Sequence, residues 1–273
     1  MKQPSRVIWS GKTHPGHIRK KNEDTFLALT FNDKDFHYLG HKGHSDLNSA
    51  DYVFAVSDGM GGANAGEYAS KVAVEKITRW LPRGFRLRAS GMEPGISDLF
   101  GELYEDIHQA LSYLGQSYDE CAGMGSTLSL IWLTPEWMYF AHIGDSRIYY
   151  LPATGPLRQL SEDHSHVGWL QRQGKISERE ARTHPRRHAI QKALGAGHQY
   201  VEPQAGAVSL LPGDQFLICS DGVTDGLWNR NIEHLLHWPD AQERKFDPAD
   251  RLIQKSLRIS GQDNLTALVV EVC

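Results

Sequence analysis

Short apolar runs punctuated by Asp-Gly and Gly-Asp turns dominate the chain. Tyr52-Val53-Phe54-Ala55-Val56 is β-branched and aromatic and stops at Ser57-Asp58-Gly59; Phe216-Leu217-Ile218-Cys219 stops likewise at Ser220-Asp221-Gly222. Both read as strands. So do Thr127 to Leu133, Trp137 to Ile143, Arg147 to Leu151 and Leu265 to Val272. Thr134-Pro135-Glu136 and Gly144-Asp145-Ser146 carry turn chemistry, so Thr127 to Leu151 reads as an antiparallel meander. Helical spacing takes over elsewhere. Between Glu67 and Leu81, Ala69, Val72, Ala73, Ile77, Trp80 and Leu81 share one face. Between Ser97 and Leu114 the apolar residues again fall on one face, with Ser97 as the expected N-cap. Shorter helices are predicted at Ser177 to Arg182, opened by a Ser177/Glu180 capping box, and at Pro248 to Ile259, capped by Asp247. Asn32 to Ala50 and Arg83 to Pro94 read as solvated excursions. This order of elements predicts an α+β fold with largely antiparallel sheets.

Composition narrows the class. Of 273 residues, 40% are hydrophobic and 23% charged, as in a soluble globular protein with a real core. No Pro/Gly/Ser-rich linker divides the chain, so residues 1–273 are expected to form one domain. A net charge of -4 argues against nucleic-acid partners held by bulk positive charge. No apolar run reaches the ~20 residues of a membrane span, and Met1 to Gly16 has no apolar leader; a cytoplasmic protein is expected. Cys121, Cys219 and Cys273 are too few and too scattered for a disulfide scaffold or a zinc site, which suits a reducing compartment. Cys219 reads as an inert core residue, the tryptophans as core and strand-face residues, and most of the histidines, without a supporting cysteine or His-Glu pattern, as surface or flap residues.

The acids are placed with more regularity than the total charge suggests. Glu23-Asp24 precede Thr25-Phe26-Leu27, Asp58 and Asp221 each follow an apolar run, Asp145 sits in a turn, and Asp263-Asn264 precede the last strand. Taken singly, each is an ordinary turn residue. Gathered at one end of a sheet, such carboxylates would repel one another unless cations neutralised them. Oxygen donors select hard cations, Mg²⁺ or Mn²⁺, and two such ions ~4 Å apart can serve in-line attack on phosphorus. The stretch Gly59-Met60-Gly61-Gly62 lacks the third glycine of a dinucleotide fingerprint and the Gly-Lys-Ser/Thr of a P-loop.

Arg19-Lys20-Lys21-Asn22-Glu23-Asp24 resembles the opening motif of the metal-dependent protein phosphatases, the protein phosphatase 2C (PPM) family. Asp58-Gly59-Met60-Gly61-Gly62, Gly125-Ser126-Thr127, Gly144-Asp145-Ser146-Arg147, Ser220-Asp221-Gly222-Val223 and Asp263-Asn264 follow in that family's order. Leu160 to Ser165 and Gly174 to Gly195 resemble its flap, here about residues 160–195. The resemblance spans about Gly16 to Val272 and is strongest to compact bacterial members.

It implies a four-layer α-β-β-α sandwich: two antiparallel sheets face to face, flanked by helices, with metals in a cleft at one edge. It implies that Asp58 bridges two Mn²⁺ or Mg²⁺ ions and that the Gly59 carbonyl binds one of them. Asp221 and Asp263 would complete one site, with Glu23 and Asp24 on the opposite side. Asp145 with Asp221 would bind a third, weaker ion. Arg19 would contact the substrate phosphate, Asn264 would orient Asp263, and Asp225 would be a further acid nearby. The implied activity is hydrolysis of phosphoserine and phosphothreonine in proteins through a metal-bridging water, counteracting a Ser/Thr kinase, by a monomer that engages neither nucleic acid nor membrane. Many eukaryotic members have a proton-donating His where Met60 stands, so a flatter acidic limb of the pH–rate profile is expected. Two other classes remain: a catalytically silent phosphatase-like module that binds phosphoproteins, and a hydrolase of a non-protein phosphate ester. Basic residues in the flap, Arg186 and Arg187 among them, suggest acidic or doubly phosphorylated target sequences.

Overall fold

A computed structural model describes residues 3–32, 35–61, 65–89, 95–198 and 201–273, with side chains omitted for 81–89. Strands β1 (Arg6–His14), β2 (Asp24–Phe31), β3 (Phe36–Tyr38), β4 (Lys42–Asp46) and β5 (Asp51–Met60) precede helices α1 (Ala65–Ala89) and α2 (Ile96–Ser117). The middle of the chain forms β6 (Gly125–Ser126), β7 (Leu128–Leu133), β8 (Trp137–Ile143), β9 (Arg147–Leu151) and β10 (Arg158–Gln159). Helices α3 (His166–Arg172) and α4 (Glu178–Thr183) then lead to β11 (Leu194–Gly195) and β12 (Gln204–Ser209). Last come β13 (Gln215–Cys219), α5 (Asp221–Gly226), α6 (Asn229–His237), α7 (Pro248–Ile259) and β14 (Leu265–Val272).

The strands form two antiparallel sheets. One is ordered β10-β9-β13-β14-β1-β4; the other is β11-β6-β5-β7-β8-β12, with β2 on β5 and β3 on β2. Both faces of the central strands are covered, which is why they read as unbroken apolar runs. In β5, Tyr52, Phe54 and Val56 pack between the sheets against Phe216, Ile218, Leu268 and Val270. Val53 and Ala55 face the other way, toward Ala69, Ala73 and Ile77 of α1 and Leu103 and Ile107 of α2. The outer face of the first sheet, including Leu217, Cys219 and Val269, packs on Leu235 of α6 and Leu252 and Ile253 of α7. The result is the α-β-β-α layering that the family resemblance implied.

Several local expectations change. Asn32 to Ala50 is mostly exposed, yet it holds β3 and β4, and Leu47 within it is fully buried. Lys42-Gly43-His44-Ser45-Asp46 gains strand structure from backbone pairing with β1, and a charged sequence suits such an edge. Helix α1 runs through Ala89, into the predicted excursion from Arg83; residues 90–94 of that excursion lie outside the described residues. Gly95, not Ser97, is the N-cap of α2, and no side chain caps it. Asp247 does stand at the N-cap of α7, but its carboxylate accepts from Lys42 Nζ at 2.9 Å rather than from the helix. The Ser177/Glu180 capping box forms as read. Trp9 and Trp132 are core residues and Trp137 lies on strand β8, whereas Trp169 and Trp238 are exposed and off the strands, contrary to expectation. Cys219 is fully buried, and burial pushes its thiol up to about 12, consistent with an inert role.

Phe216 is fully buried between the sheets and stacks on Tyr150 at 5.3 Å between ring centroids. Phe216→Ala is expected to cost about 3–5 kcal/mol. Urea unfolding would show this as a lower midpoint with an unchanged slope.

Candidate active site

The alternation of side chains across a strand explains how the acids reach one place. In β5 the residues facing the opposite sheet are Tyr52, Phe54 and Val56, and the next step of two is Asp58. On β2, Asp24 pairs with Asp58 in register, two residues before Phe26, which pairs with Val56. On the other sheet, Phe216 and Ile218 continue to Ser220, while Val270 and Leu268 continue back through Thr266 to Asn264. Four apolar stripes thus become polar at the same end of the sandwich. Ser220 Oγ donates to Asp24 Oδ2 across the sheets at 2.7 Å, and the Thr266 amide donates to Ser220 Oγ at 2.9 Å. Asp24 Oδ1, although buried, has no hydrogen-bond partner.

Neighbouring segments hold the rest. The Asp58 amide donates to Thr127 Oγ1 at 3.1 Å, and the Asp58 carbonyl accepts from the Thr127 amide and from Ser126 Oγ, both at 2.8 Å. Thr127 Oγ1 also bonds Ser146 Oγ at 2.8 Å, tying this network to the turn that presents Asp145. That turn needs Gly144, which has φ +115° and lies against Thr127. Asp145 is buried, and its Oδ1 has no partner. A Cβ on Gly59 would collide with the Gly66 carbonyl, and one on Gly66 with the Glu23 carboxyl, so glycine at both lets Glu23 close on the start of α1. Asp221 opens α5, and Asp225 follows a turn later at the exposed rim.

Glu23, Asp58, Asp145, Asp221, Asp225 and Asp263 line one cleft, with Arg19 and Gly59 at its wall; Asp24 lies beneath. Arg19 Nη2 donates to Asp263 Oδ2 at 2.7 Å from an exposed position, and this bond with Asp263 raises the guanidinium's proton affinity. Asn264 differs from expectation. Its side chain does not hold the Asp263 carboxylate; Nδ2 donates to the Pro15 and Lys21 carbonyls at 2.9 and 2.8 Å, and Oδ1 accepts from the Glu23 amide at 2.8 Å. Only its backbone amide reaches Asp263 Oδ1, at 2.8 Å. Asn264 therefore pins the loop that carries Arg19 and Glu23.

Crowding shows in the proton affinities. Burial, then the charge of Asp24 and the surrounding acids, pushes Asp58 well above the usual carboxylate range. Burial and Asp221 do the same to Asp145. Asp24 is raised to about 7, by burial first and against the opposing Ser220 hydrogen bond. Burial also raises Glu23, partly offset by Arg19. Among the described residues, no three His, Cys, Asp or Glu side chains are already closed into a set that could hold a metal ion. The donor chemistry nonetheless fits Mg²⁺ or Mn²⁺: the donors are all oxygen, two buried carboxylate oxygens lack partners, and such ions keep waters in place of some protein ligands.

The protein phosphatase 2C family model matches residues 34–267. The chain belongs to the protein phosphatase 2C family. Over 261 residues it is 32% identical to the serine/threonine phosphatase stp of Listeria monocytogenes, covering 95% of this chain and 94% of that protein. It is 34% identical over 267 residues to the serine/threonine protein phosphatase PstP of Mycobacterium tuberculosis, covering 97% of this chain and 45% of that protein. A solved structure of the PstP catalytic domain in complex with two manganese ions superposes with a TM-score of 0.74 at 29% identity, covering 98% and 99% of the two chains.

In this protein phosphatase 2C chain, segment 160–195 lies over the Asp145 side of the cleft. Arg147 grips Asp163 through Nε at 2.9 Å and Nη2 at 2.6 Å. The His164 amide donates to the Gly144 carbonyl at 2.7 Å, and His164 Nδ1 accepts from the Gly144 amide at 3.1 Å, clamping the segment to the turn before Asp145. His164 stacks on buried His142, and burial lowers the two imidazoles to about 3 and about 4, so both are neutral. Arg182 crosses to α5, donating to the Thr224 and Leu227 carbonyls at 2.8 and 2.6 Å while lying over the Trp228 ring. Sequence reasoning missed His188, Ile190 and Ile18, which line the cleft from irregular segments without a motif. It also missed Ser220, although the repeated Ser-Asp-Gly was a usable signal.

Asp24, raised to about 7 in the fold, makes metal-free protein lose stability as pH rises from about 4, its unfolded value, through 7. His142 and His164, lowered by folding, contribute with the opposite slope below about 6.5, so the comparison of variants is the decisive one. In chelator, Asp24→Asn is expected to melt several degrees above wild type at pH 8, with the gap closing toward pH 4. Thermal melts across that range check this.

Proposed function

We infer that the protein is a metal-dependent protein serine/threonine phosphatase. The observation that carries this reading is the convergence of six acids from distant segments on one cleft, with Arg19 at its wall and unpartnered carboxylate oxygens in and beneath it. In this reading Asp58 would be a ligand shared by two Mn²⁺ or Mg²⁺ ions and the Gly59 carbonyl would bind one of them. Asp221 and Asp263 would complete one site, Glu23 and Asp24 would hold metal or metal-bound water on the opposite side, and Asp145 with Asp221 would bind a third ion. Such ions neutralise phosphoryl charge and lower the pKa of water.

The chain's own groups do the rest. Arg19 offers a forked guanidinium to two phosphoryl oxygens, and its bond to Asp263 keeps it at the cleft. Asn264 fixes the Arg19 loop through two carbonyls and the Glu23 amide. Met60 lines the cleft but cannot donate a proton to the leaving alkoxide, which supports a shallow acidic limb and a preference for good leaving groups. Residues 1–273 are read as one catalytic domain with a flap at about 160–195. No helix among the described residues is long and apolar enough to cross a membrane. We read the protein as a cytoplasmic monomer in signalling, its substrate a phosphoprotein made by a Ser/Thr kinase. The full acid set argues against a silent binding module, which has no need of it.

Manganese should support hydrolysis of p-nitrophenyl phosphate and of phosphothreonine peptides, and chelation should abolish both. Asp58→Asn is expected to lower kcat by about 10²–10³ or more, a magnitude typical for losing one preorganised electrostatic group. Arg19→Ala should raise KM for phosphopeptide about tenfold. Faster turnover of small phosphate metabolites than of phosphopeptides would overturn the protein-substrate reading.

A further inference from the structure

The cleft is acidic, but the segment that borders it on the Asp145 side carries exposed cations. Pro185 leads into a tight turn in which the Arg186 amide donates to His184 Nδ1, the Arg187 amide to the His184 carbonyl and the Ala189 amide to the Arg186 carbonyl, each at 3.1 Å. The chain then bridges Ile190 to Ser165, and the Gln191 amide donates to the His164 carbonyl at 2.7 Å. This stretch is thus tied to the same His164 that is clamped beside Asp145. Its orientation is fixed at the cleft: His188 and Ile190 form cleft wall, and Arg187 lines the adjoining hollow with Asp145, Asp221 and Asp225.

The cations on this stretch differ from others in the segment. Arg172 pairs with Glu162 at 3.1 Å, Arg182 pairs with Glu178 at 3.4 Å, and Lys175 lies over the Trp169 ring. Arg186, Arg187 and Lys192 are exposed, and among the described residues no carboxylate forms an ion pair with them. Exposed Lys20, next in the chain to the cleft-lining Arg19, likewise has no ion pair among the described residues. In a chain of net charge -4, exposed cations on a stretch anchored beside an acidic site, with Arg187 lining the adjoining hollow, suit an anionic occupant larger than the phosphate itself.

We propose that the cleft selects phosphopeptides with Asp or Glu flanking the phosphorylated side chain, read by Arg186, Arg187 and Lys192. This rests on the phosphatase reading of the cleft and adds the substrate class. Rim pairs of this kind act on encounter and selectivity more than on chemistry, so the preference should shrink as salt screens it.

Phosphothreonine peptides with acidic, alanine or basic flanks, assayed with manganese, test the proposal. The kcat/KM ratio of acidic over alanine flanks is expected to be about tenfold at low salt for wild type. It should fall to about one or below in Arg186→Glu/Arg187→Glu. It should persist in Arg6→Glu/Arg79→Glu, which changes net charge equally at exposed positions distant in the fold from the cleft. A wild-type ratio near one, a ratio kept by the first variant, or an equal loss in both variants overturns the proposal. Fluorescence anisotropy of the same peptides reads the same ratio without turnover. Absence of manganese-dependent phosphate release would therefore sink the phosphatase reading, while the binding ratio still decides the flanking preference.

Discussion

Everything at the active end follows from side-chain alternation in two facing sheets. A strand sends every second residue into the space between them, and for most of their length these positions are Phe, Tyr, Val, Ile and Leu. At one end the same positions become Asp58, Asp24, Ser220 and Thr266, so carboxylates inherit the burial prepared for hydrocarbons. Burial raises Asp24 and Asp58, and mutual repulsion raises Asp58 further. A one-residue slip of β2 against β5 would turn Asp24 away and expose Phe26, so the apolar core enforces the geometry of the acids.

Holding like charges together needs groups that do not themselves carry charge. Ser126 and Thr127 hold the Asp58 backbone, Ser146 bonds the Thr127 hydroxyl, and Asn264 makes three hydrogen bonds, to the Pro15 and Lys21 carbonyls and the Glu23 amide. Neutral clamps avoid cancelling the carboxylates that a cation must find. The charged contacts lie further out. Arg147–Asp163 and Arg182 fasten the flap to the start of β9, just after Asp145, and to the end of α5, whose first residue is Asp221. A buried ion pair contributes little net stability but is costly to break on one side, which suits a contact that fixes position.

Asp58, Asp145 and Asp221 were legible because each stands beside a glycine at the end of an apolar run, a local pattern; Glu23 and Asp24 have no such glycine and were legible as acids just before an apolar run. The apolar runs by themselves gave an α+β fold with largely antiparallel sheets; the two-sheet, two-sided layering was legible only through the family resemblance. β1 and β4 were not, since Arg6–His14 mixes polar and apolar positions and Lys42–Asp46 is polar throughout; their structure comes from pairing partners elsewhere in the chain. The bond between Arg19 and Asp263 joins residues 244 apart, and the role of Asn264 depends on where Pro15 and Lys21 place their carbonyls. No window of sequence contains those relations. His188 and Ile190 reach the cleft because His164 and Ser165 anchor their loop, again a tertiary fact.

The same electrostatics imposes an order on binding. A phosphate monoester approaching the metal-free cleft would face six carboxylates with Arg19 already committed to Asp263, so repulsion would dominate. Cations must come first. Once they neutralise the acids, the balance shifts toward Arg19 at the cleft wall and Arg187 in the adjoining hollow. Arg19 can then exchange Asp263 for phosphate without leaving a bare carboxylate behind. The acidic interior and the basic residues bordering it are therefore complementary: the first gathers the cations, and the second become effective when those are in place.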